Sequence, residues 1–288
     1  MYLAPANNLQ FTLKGKTAVI TGAARGLGLT FATALASANC NLAVLDILHE
    51  PSPCLLALRD DHGIKLEYYR TDITSRSEVT AAIEKIEAEF GRIDININAA
   101  GVVSDESFLK TTDENIARTF AVNFTGSFLV AQACANSMVA RYKSIHGGEP
   151  AAQPTTGTIV FIASIATYIA SSAQQISCYT ASKAAVKGLV KPMAMELAPY
   201  GIRVNSLSPG YMMTDMMRGL QEKQPQLVDQ FEKETLFGRI GMPVELKGAI
   251  LYLCCDSASG WYTGQDLLVD GGASTWKHPA ILASDLEE

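Results

Sequence analysis

Short apolar runs alternate along the chain with longer segments whose apolar positions recur at helical spacing. Lys16–Thr21 (KTAVIT) reads as a buried strand, Gly22–Gly28 as a turn, and Leu29–Ala38 as a helix. Further strands are predicted at Leu42–Leu45 (ending at Asp46), Leu66–Arg70, Ile93–Ile97, Thr158–Ala163, Arg203–Leu207 and Asp266–Val269. Helices are predicted over Ser75–Phe90, where Val79, Ile83, Ile86 and Phe90 share a face, and over Asp113–Tyr142, Cys178–Leu197 and Val244–Cys255. Pro51 and Pro53 read as interruptions of the loop after the second strand. Pro192 lies inside the Cys178–Leu197 helix, removes the hydrogen bond to Gly188, and predicts a kink or a break near Lys191.

Strands alternating with helices imply an α/β fold: a parallel sheet of about seven strands with helices on both faces. With no internal repeat and no linker, the expected division is an arm over 1–12, one domain over 13–272 and a tail over 273–288. Residues 143–157, rich in Gly, Pro and Thr, read as a solvated loop insertion, and 211–237 as a polar, methionine-bearing cover over the site.

Composition narrows the function classes. The chain has 288 residues, 48% apolar and 18% charged, enough to bury a sizeable core. A net charge of −6 argues against a nucleic-acid partner. Six cysteines without ligand spacing argue for reduced thiols and no metal site. Residues 1–10 lack the pattern of a secretory signal, and the most apolar stretch, Thr158–Ala170, is too short to span a bilayer, so the expectation is a cytoplasmic protein without a membrane partner. The four histidines read as loop or tail residues.

Candidate chemistry follows the strand ends. Gly22, Gly26 and Gly28, with Arg25 and Leu27 between them, sit where a strand meets a helix N-terminus, a place suited to a diphosphate. Asp46 can accept hydrogen bonds from the adenosine ribose hydroxyls and would repel a 2′-phosphate, which favours NAD(H). Arg25 offers a guanidinium for that phosphate and keeps NADP(H) open. Asp72, followed by Ile73, can accept from an adenine amino group or cap the next turn. Asn98, Ala99, Ala100 and Gly101 form a small-residue turn on which a flat ring and ribose can lie.

Tyr179 and Lys183 stand four residues apart on one helical face, so the ammonium and a positive nicotinamide ring would lower the phenol pKa and make it a usable base. Ser164 ends a strand with a hydroxyl that can hold a substrate oxygen. Asn123 is a poor helix former inside a long helix, able to hold a water or interrupt the ladder.

Together these motifs resemble the short-chain dehydrogenase/reductase family, from about Leu13 to Gly272: TGAARGLG, NAAG, Asn123 in NFTGSF, Ser164, Tyr179 with Lys183, and Ser208-Pro209-Gly210. The resemblance implies a single Rossmann-like domain and hydride transfer between a nicotinamide dinucleotide and a secondary alcohol or ketone. It implies Tyr179 as general acid/base, Ser164 as the orienting hydroxyl, Lys183 on the nicotinamide ribose, and Asn123 supporting a proton-relay water. Pro209, Gly210, the backbone near Met212 and Thr214 would hold the cofactor. Ala99 departs from the family's usual second asparagine, which puts the support of that turn in doubt. Met212, Met213, Met216 and Met217 can form an adaptable apolar cover or pack within the cover segment. General resemblance points to fungal-type polyol and sugar-ketose dehydrogenases, with a secondary-metabolite ketoreductase as the enzymatic rival and a non-catalytic dinucleotide-binding scaffold as the rival of another class. The stretch Tyr262–Gly272 resembles the family's last strand and implies a homotetramer.

Overall fold

The run Thr17–Thr21 is buried at every position because it lies mid-sheet, covered on both faces. In the computed structural model, which describes residues 11–147, 149, 151 and 156–275, this run is strand β1. The other strands are β2 (Asn41–Asp46), β3 (Leu66–Arg70), β4 (Ile95–Asn98), β5 (Gly157–Ile162), β6 (Ile202–Pro209) and β7 (Asp266–Val269). All pair in parallel, in the order β3-β2-β1-β4-β5-β6-β7. The order reverses between β1 and β4, which opens a crevice at their C-terminal ends. The expected doubly wound sheet is what the chain forms.

Two apolar layers hold the sheet. Helix α1 (Gly26–Ser37) and helix α2 (Pro53–His62) pack on one face with the later helix over Lys247–Cys254. Helices α3 (Arg76–Phe90), α5 (Ser127–His146) and α6 (Ser177–Leu197) cover the other. Helix α4 (Asp113–Phe120) precedes α5 and is joined to it by a π-helical turn over Ala121–Gly126.

Helix α2 overturns the loop expected after β2. Proline is disfavoured inside a helix but suits its first turn, where its missing N–H has no partner to lose. Pro53 opens α2 there, the Ser52 hydroxyl accepts from the Leu55 N–H at 3.3 Å, and Gly63 ends the helix in the left-handed conformation. Helix α6 does not break at Lys191. It runs through Pro192 to Leu197, because Pro192 and Gly188 lie on the solvent face, where water can satisfy the freed carbonyl, while Val186, Val190 and Ala194 stay packed.

The single helix expected over Asp113–Tyr142 is interrupted. The π turn adds a residue and places the Asn123 side chain, fully buried, toward Val102 and Ser182. The cover segment is largely helical. It forms α7 (Asp215–Lys223), capped by the Thr214 hydroxyl, and α8 (Pro225–Lys233), with Val228 and Phe231 packing against Ile165 and Tyr211 as a third apolar cluster. Helices α9 (Lys247–Cys254) and α10 (Asp256–Ser259) complete the chain before β7.

Helix α5 extends past Tyr142 to His146, so the loop expected over 143–157 is shorter than its composition suggested. Ala151 and Thr156 donate backbone hydrogen bonds to Pro199 and Gly201 at 2.8 and 3.1 Å, tying that loop to the end of α6. The expected arm, over its first ten residues, and the tail beyond residue 275 lie outside the described residues, as do 148, 150 and 152–155.

Candidate active site

A cleft of about 1440 Å³ opens over the C-terminal ends of the central strands. One end is walled by Gly22 and residues 25–28. Ala99, Ala100 and Gly101 border it from β4, and Pro209, Gly210, Met212 and Thr214 from β6. Ser164, Tyr179 and Lys183 face the same cleft.

The glycine loop is built by close approach. Gly22 has φ 69°, and a Cβ there would lie 2.6 Å from the Ala100 Cα. A Cβ on Gly28 would lie 2.2 Å from the Gly22 carbonyl oxygen, so α1 packs against the turn only without a side chain. The turn over Ala99 and Ala100, which lacks the family's usual asparagine, has another support. The buried Thr21 hydroxyl accepts from both N–H groups, at 3.1 and 3.0 Å. Among the described residues no side chain caps the α1 N-terminus, and its first N–H groups stand beside the cleft. This cradle of bare backbone and helix N–H groups fits a dinucleotide diphosphate.

Asp46 is 9% exposed and is no free strand-end acid. One carboxylate oxygen accepts from the Ala24 N–H at 3.0 Å, the other from the Leu48 N–H at 3.2 Å. It therefore ties the glycine loop to the end of β2. Asp72 does not reach the cleft wall. Its Oδ1 accepts from the Thr74 N–H and hydroxyl at 2.9 and 2.7 Å, the turn-capping alternative. Ile73 is buried and packs where a Cβ on Gly126 would come within 2.7 Å of it. Asn98 is also buried behind the wall, donating to the Asn96 Oδ1 at 2.7 Å while its own Oδ1 has no partner among the described residues.

Tyr179 and Lys183 project from one face of α6, with the Lys183 Nζ 5.9 Å from the phenol ring centroid. That ammonium donates to the Ile162 carbonyl at 2.7 Å, and burial holds its pKa down to about 8. Burial pushes the Tyr179 phenol above its ordinary value, against a smaller downward pull from the Ser164 hydroxyl. In the chain by itself desolvation therefore sets the direction of the phenol shift, and the Lys183 ammonium donates to a backbone carbonyl. The Ser164 hydroxyl accepts from the Ala166 N–H at 3.1 Å and starts the short turn Ile165–Thr167.

Asn123 lies behind these groups. Its Oδ1 accepts from the Val102 N–H at 2.8 Å, and its amide donates to the Val102 carbonyl and the Ser182 hydroxyl, both at 2.9 Å. Ser182 donates in turn to the Tyr179 carbonyl at 2.7 Å. A Cβ on Gly101 would sit 3.3 Å from the Asn123 Oδ1 and 3.4 Å from the Lys183 Nζ, so both atoms converge beside that glycine.

Three supporting residues escaped the sequence reading: Thr21, Ser182 and Glu234. Thr21 and Ser182 stand directly before Gly22 and Lys183, and small hydroxyls adjoining two functional residues were the available signal. Glu234 had none. It accepts from Ser171 at 2.9 Å, Tyr211 at 2.7 Å and Gln230 at 3.1 Å, joining the end of α8 to two segments of the cleft wall. Met212, Met216 and Met217 line the cleft, with Met216 68% exposed, whereas Met213 packs in the cluster beneath α8.

Comparison with known proteins agrees with this geometry. Residues 22–274 match the family model described as enoyl-(acyl carrier protein) reductase. Sorbose reductase sou1 of Schizosaccharomyces pombe is 37% identical, covering 91% of this chain and 97% of the relative. The 5-keto-D-gluconate 5-reductase of Escherichia coli is 34% identical, covering 91% and 96%. Among solved structures, a gluconate 5-dehydrogenase from Burkholderia cenocepacia in complex with NADP and tartrate is 35% identical, with a TM-score of 0.82 over 93% of this chain and 98% of that one. With the glycine cradle, the Ser164, Tyr179 and Lys183 cluster and these likenesses together, the chain belongs to the short-chain dehydrogenase/reductase family, oxidoreductases that use a nicotinamide dinucleotide.

Proposed function

We propose that this enzyme interconverts a ketose and the corresponding polyol, with Tyr179 moving the proton. The observation that carries the reading is the convergence of Ser164, Tyr179 and Lys183 on one cleft whose far end is the glycine cradle. The named sugar reductases among its relatives support the substrate class.

A bound nicotinamide dinucleotide supplies the hydride. In the reducing direction the Ser164 hydroxyl donates to the carbonyl oxygen and fixes its orientation. Burial keeps Tyr179 protonated near neutral pH, so its hydroxyl gives a proton to the developing alkoxide. The Lys183 ammonium favours the phenolate left behind and donates to a ribose hydroxyl. Asn123 commits both amide hydrogens to Val102 and Ser182, fixing an Oδ1 that can also accept from a relay water beside Lys183. In the oxidising direction the same groups act in reverse.

For the cofactor, the supporting observation is the anchored Asp46 carboxylate at the end of β2, which favours NAD(H) by accepting from ribose hydroxyls and repelling a 2′-phosphate. Arg25 on the cleft wall, together with the NADP in a solved relative, supports the opposite choice. The exposed Trp261, at 99%, stands shortly before the outer strand β7 and supports a homotetramer assembled across that edge.

Replacing Tyr179 by Phe should lower kcat by about a thousandfold or more, roughly 4 kcal/mol of barrier, with dinucleotide binding retained by fluorescence titration. Near-normal turnover in Y179F would remove the tyrosine from its role. Reduction needs both the phenol proton and the ammonium. Because Lys183 titrates at about 8, kcat/KM for reduction should be flat through neutral pH and fall as pH rises past that value. A profile rising through this range would contradict the assignment. The ratio of kcat/KM for NADH over NADPH should exceed one and drop in D46A; a ratio below one that Arg25→Ala reverses would assign the choice to Arg25 instead. Sedimentation at micromolar concentration should give a tetramer, and a monomer there would refute the assembly.

A further inference from the structure

Beyond Ser164 and Tyr179 the cleft has a second end, walled by 165–171, 174–177, Val102, Val103, Ser107, Phe108 and the first turn of α7. The polar groups on this wall include the neutral side chains of Gln174, Gln175, Ser107 and Thr180. Neither glutamine side chain is hydrogen-bonded to another described residue, so both amides are available to a ligand.

Acidic side chains stand on and behind this wall, and the cation behind Tyr168, Lys187, lies 3.4 Å from that ring's centroid and is paired with Asp266 at 3.5 Å. Asp215 opens α7 on the cleft wall with its side chain 83% exposed. Asp105 accepts from the Gln175 N–H at 2.8 Å, and the neighbouring Glu106 donates its backbone N–H to the Gln175 carbonyl at 2.8 Å. The cations on the wall, among the described residues, are Arg25 in the glycine loop and Lys183, whose Nζ is committed to the Ile162 carbonyl. Arg218 approaches Asp215 at 3.8 Å but does not line the cleft.

We propose that this end of the cleft receives the uncharged hydroxyl chain of a ketose or alditol and rejects the carboxylate of a keto-aldonate, with Gln174 and Asp215 as the residues that determine the choice. The inference rests on the sugar reading above and divides it between two chemical classes. A sugar hydroxyl both donates and accepts, and a glutamine amide answers both functions. A carboxylate accepts only, and is best held by a guanidinium or ammonium. At this wall it would face the Asp215 carboxylate, with Asp105 behind Gln175, and like charges repel across the solvated mouth of the cleft.

The test is an initial-rate comparison of sorbose and 5-keto-D-gluconate at saturating dinucleotide, at low and high salt, with cyclopentanol oxidation as a reference for an intact reaction centre. In the wild type, kcat/KM for sorbose should exceed that for the keto-aldonate by about tenfold or more. Added salt should narrow the gap, because the repulsion is screened. Asp215→Asn should narrow it modestly, and Gln174→Arg should narrow it most by supplying a cation. A wild-type enzyme that reduces the keto-aldonate as well as sorbose overturns the inference and leaves the ketose-polyol reading standing. A ratio that neither variant moves removes Gln174 and Asp215 from the choice and overturns it as well. Oxidation of cyclopentanol without turnover of either sugar defeats the sugar reading itself, and the inference with it.

Discussion

The site depends on one close approach, between the turn that follows β1 and the turn that follows β4. Gly22 lies so near Ala100 that no side chain fits between them, and the Thr21 hydroxyl accepts from both Ala99 and Ala100. This contact pins the two strands at the point where the sheet order reverses. The glycine cradle stands on one side of it and Gly101 on the other. Gly101 borders both the Asn123 Oδ1 and the Lys183 Nζ, so the dinucleotide end and the proton-moving end share a wall. A shift of one turn would carry the other with it.

The second constraint is burial around charge. Lys183 is buried, and desolvation pulls its pKa toward neutrality although the Ile162 carbonyl accepts from the ammonium. Desolvation also raises the Tyr179 phenol. Phenol and ammonium, nearly equal in proton affinity when free, are thus driven apart, so the phenol keeps its proton near neutral pH while the ammonium comes within reach of titration. Holding α6 in place for this falls to the Asn123–Ser182 bridge, made possible by the π turn, and to the unbroken helix beyond Pro192.

The cover over the substrate end is held by a different kind of contact. Glu234 gathers Ser171, Tyr211 and Gln230 on one carboxylate, linking α8 to the loop after Ser164 and to the segment after β6. Methionine side chains on the adjoining wall can adjust to different ligands, while this carboxylate fixes the frame behind them.

Apolar runs and glycine positions determined the strands, the parallel sheet and the glycine loop, because mid-sheet strands must be apolar on both faces and the loop cannot carry side chains. The Tyr179–Lys183 spacing determined a shared helical face for the same local reason. Helix α2 was hidden because proline reads as a breaker until its cap, Ser52, is counted. What only the tertiary structure decided involves partners distant in sequence. Asp46 braces the glycine loop, and Thr21 supports the turn over Ala99 and Ala100. The direction of the Tyr179 shift belongs to this group too. A spacing rule counts the charge four residues away, whereas desolvation depends on everything packed around the ring, and that packing exists only in the folded chain.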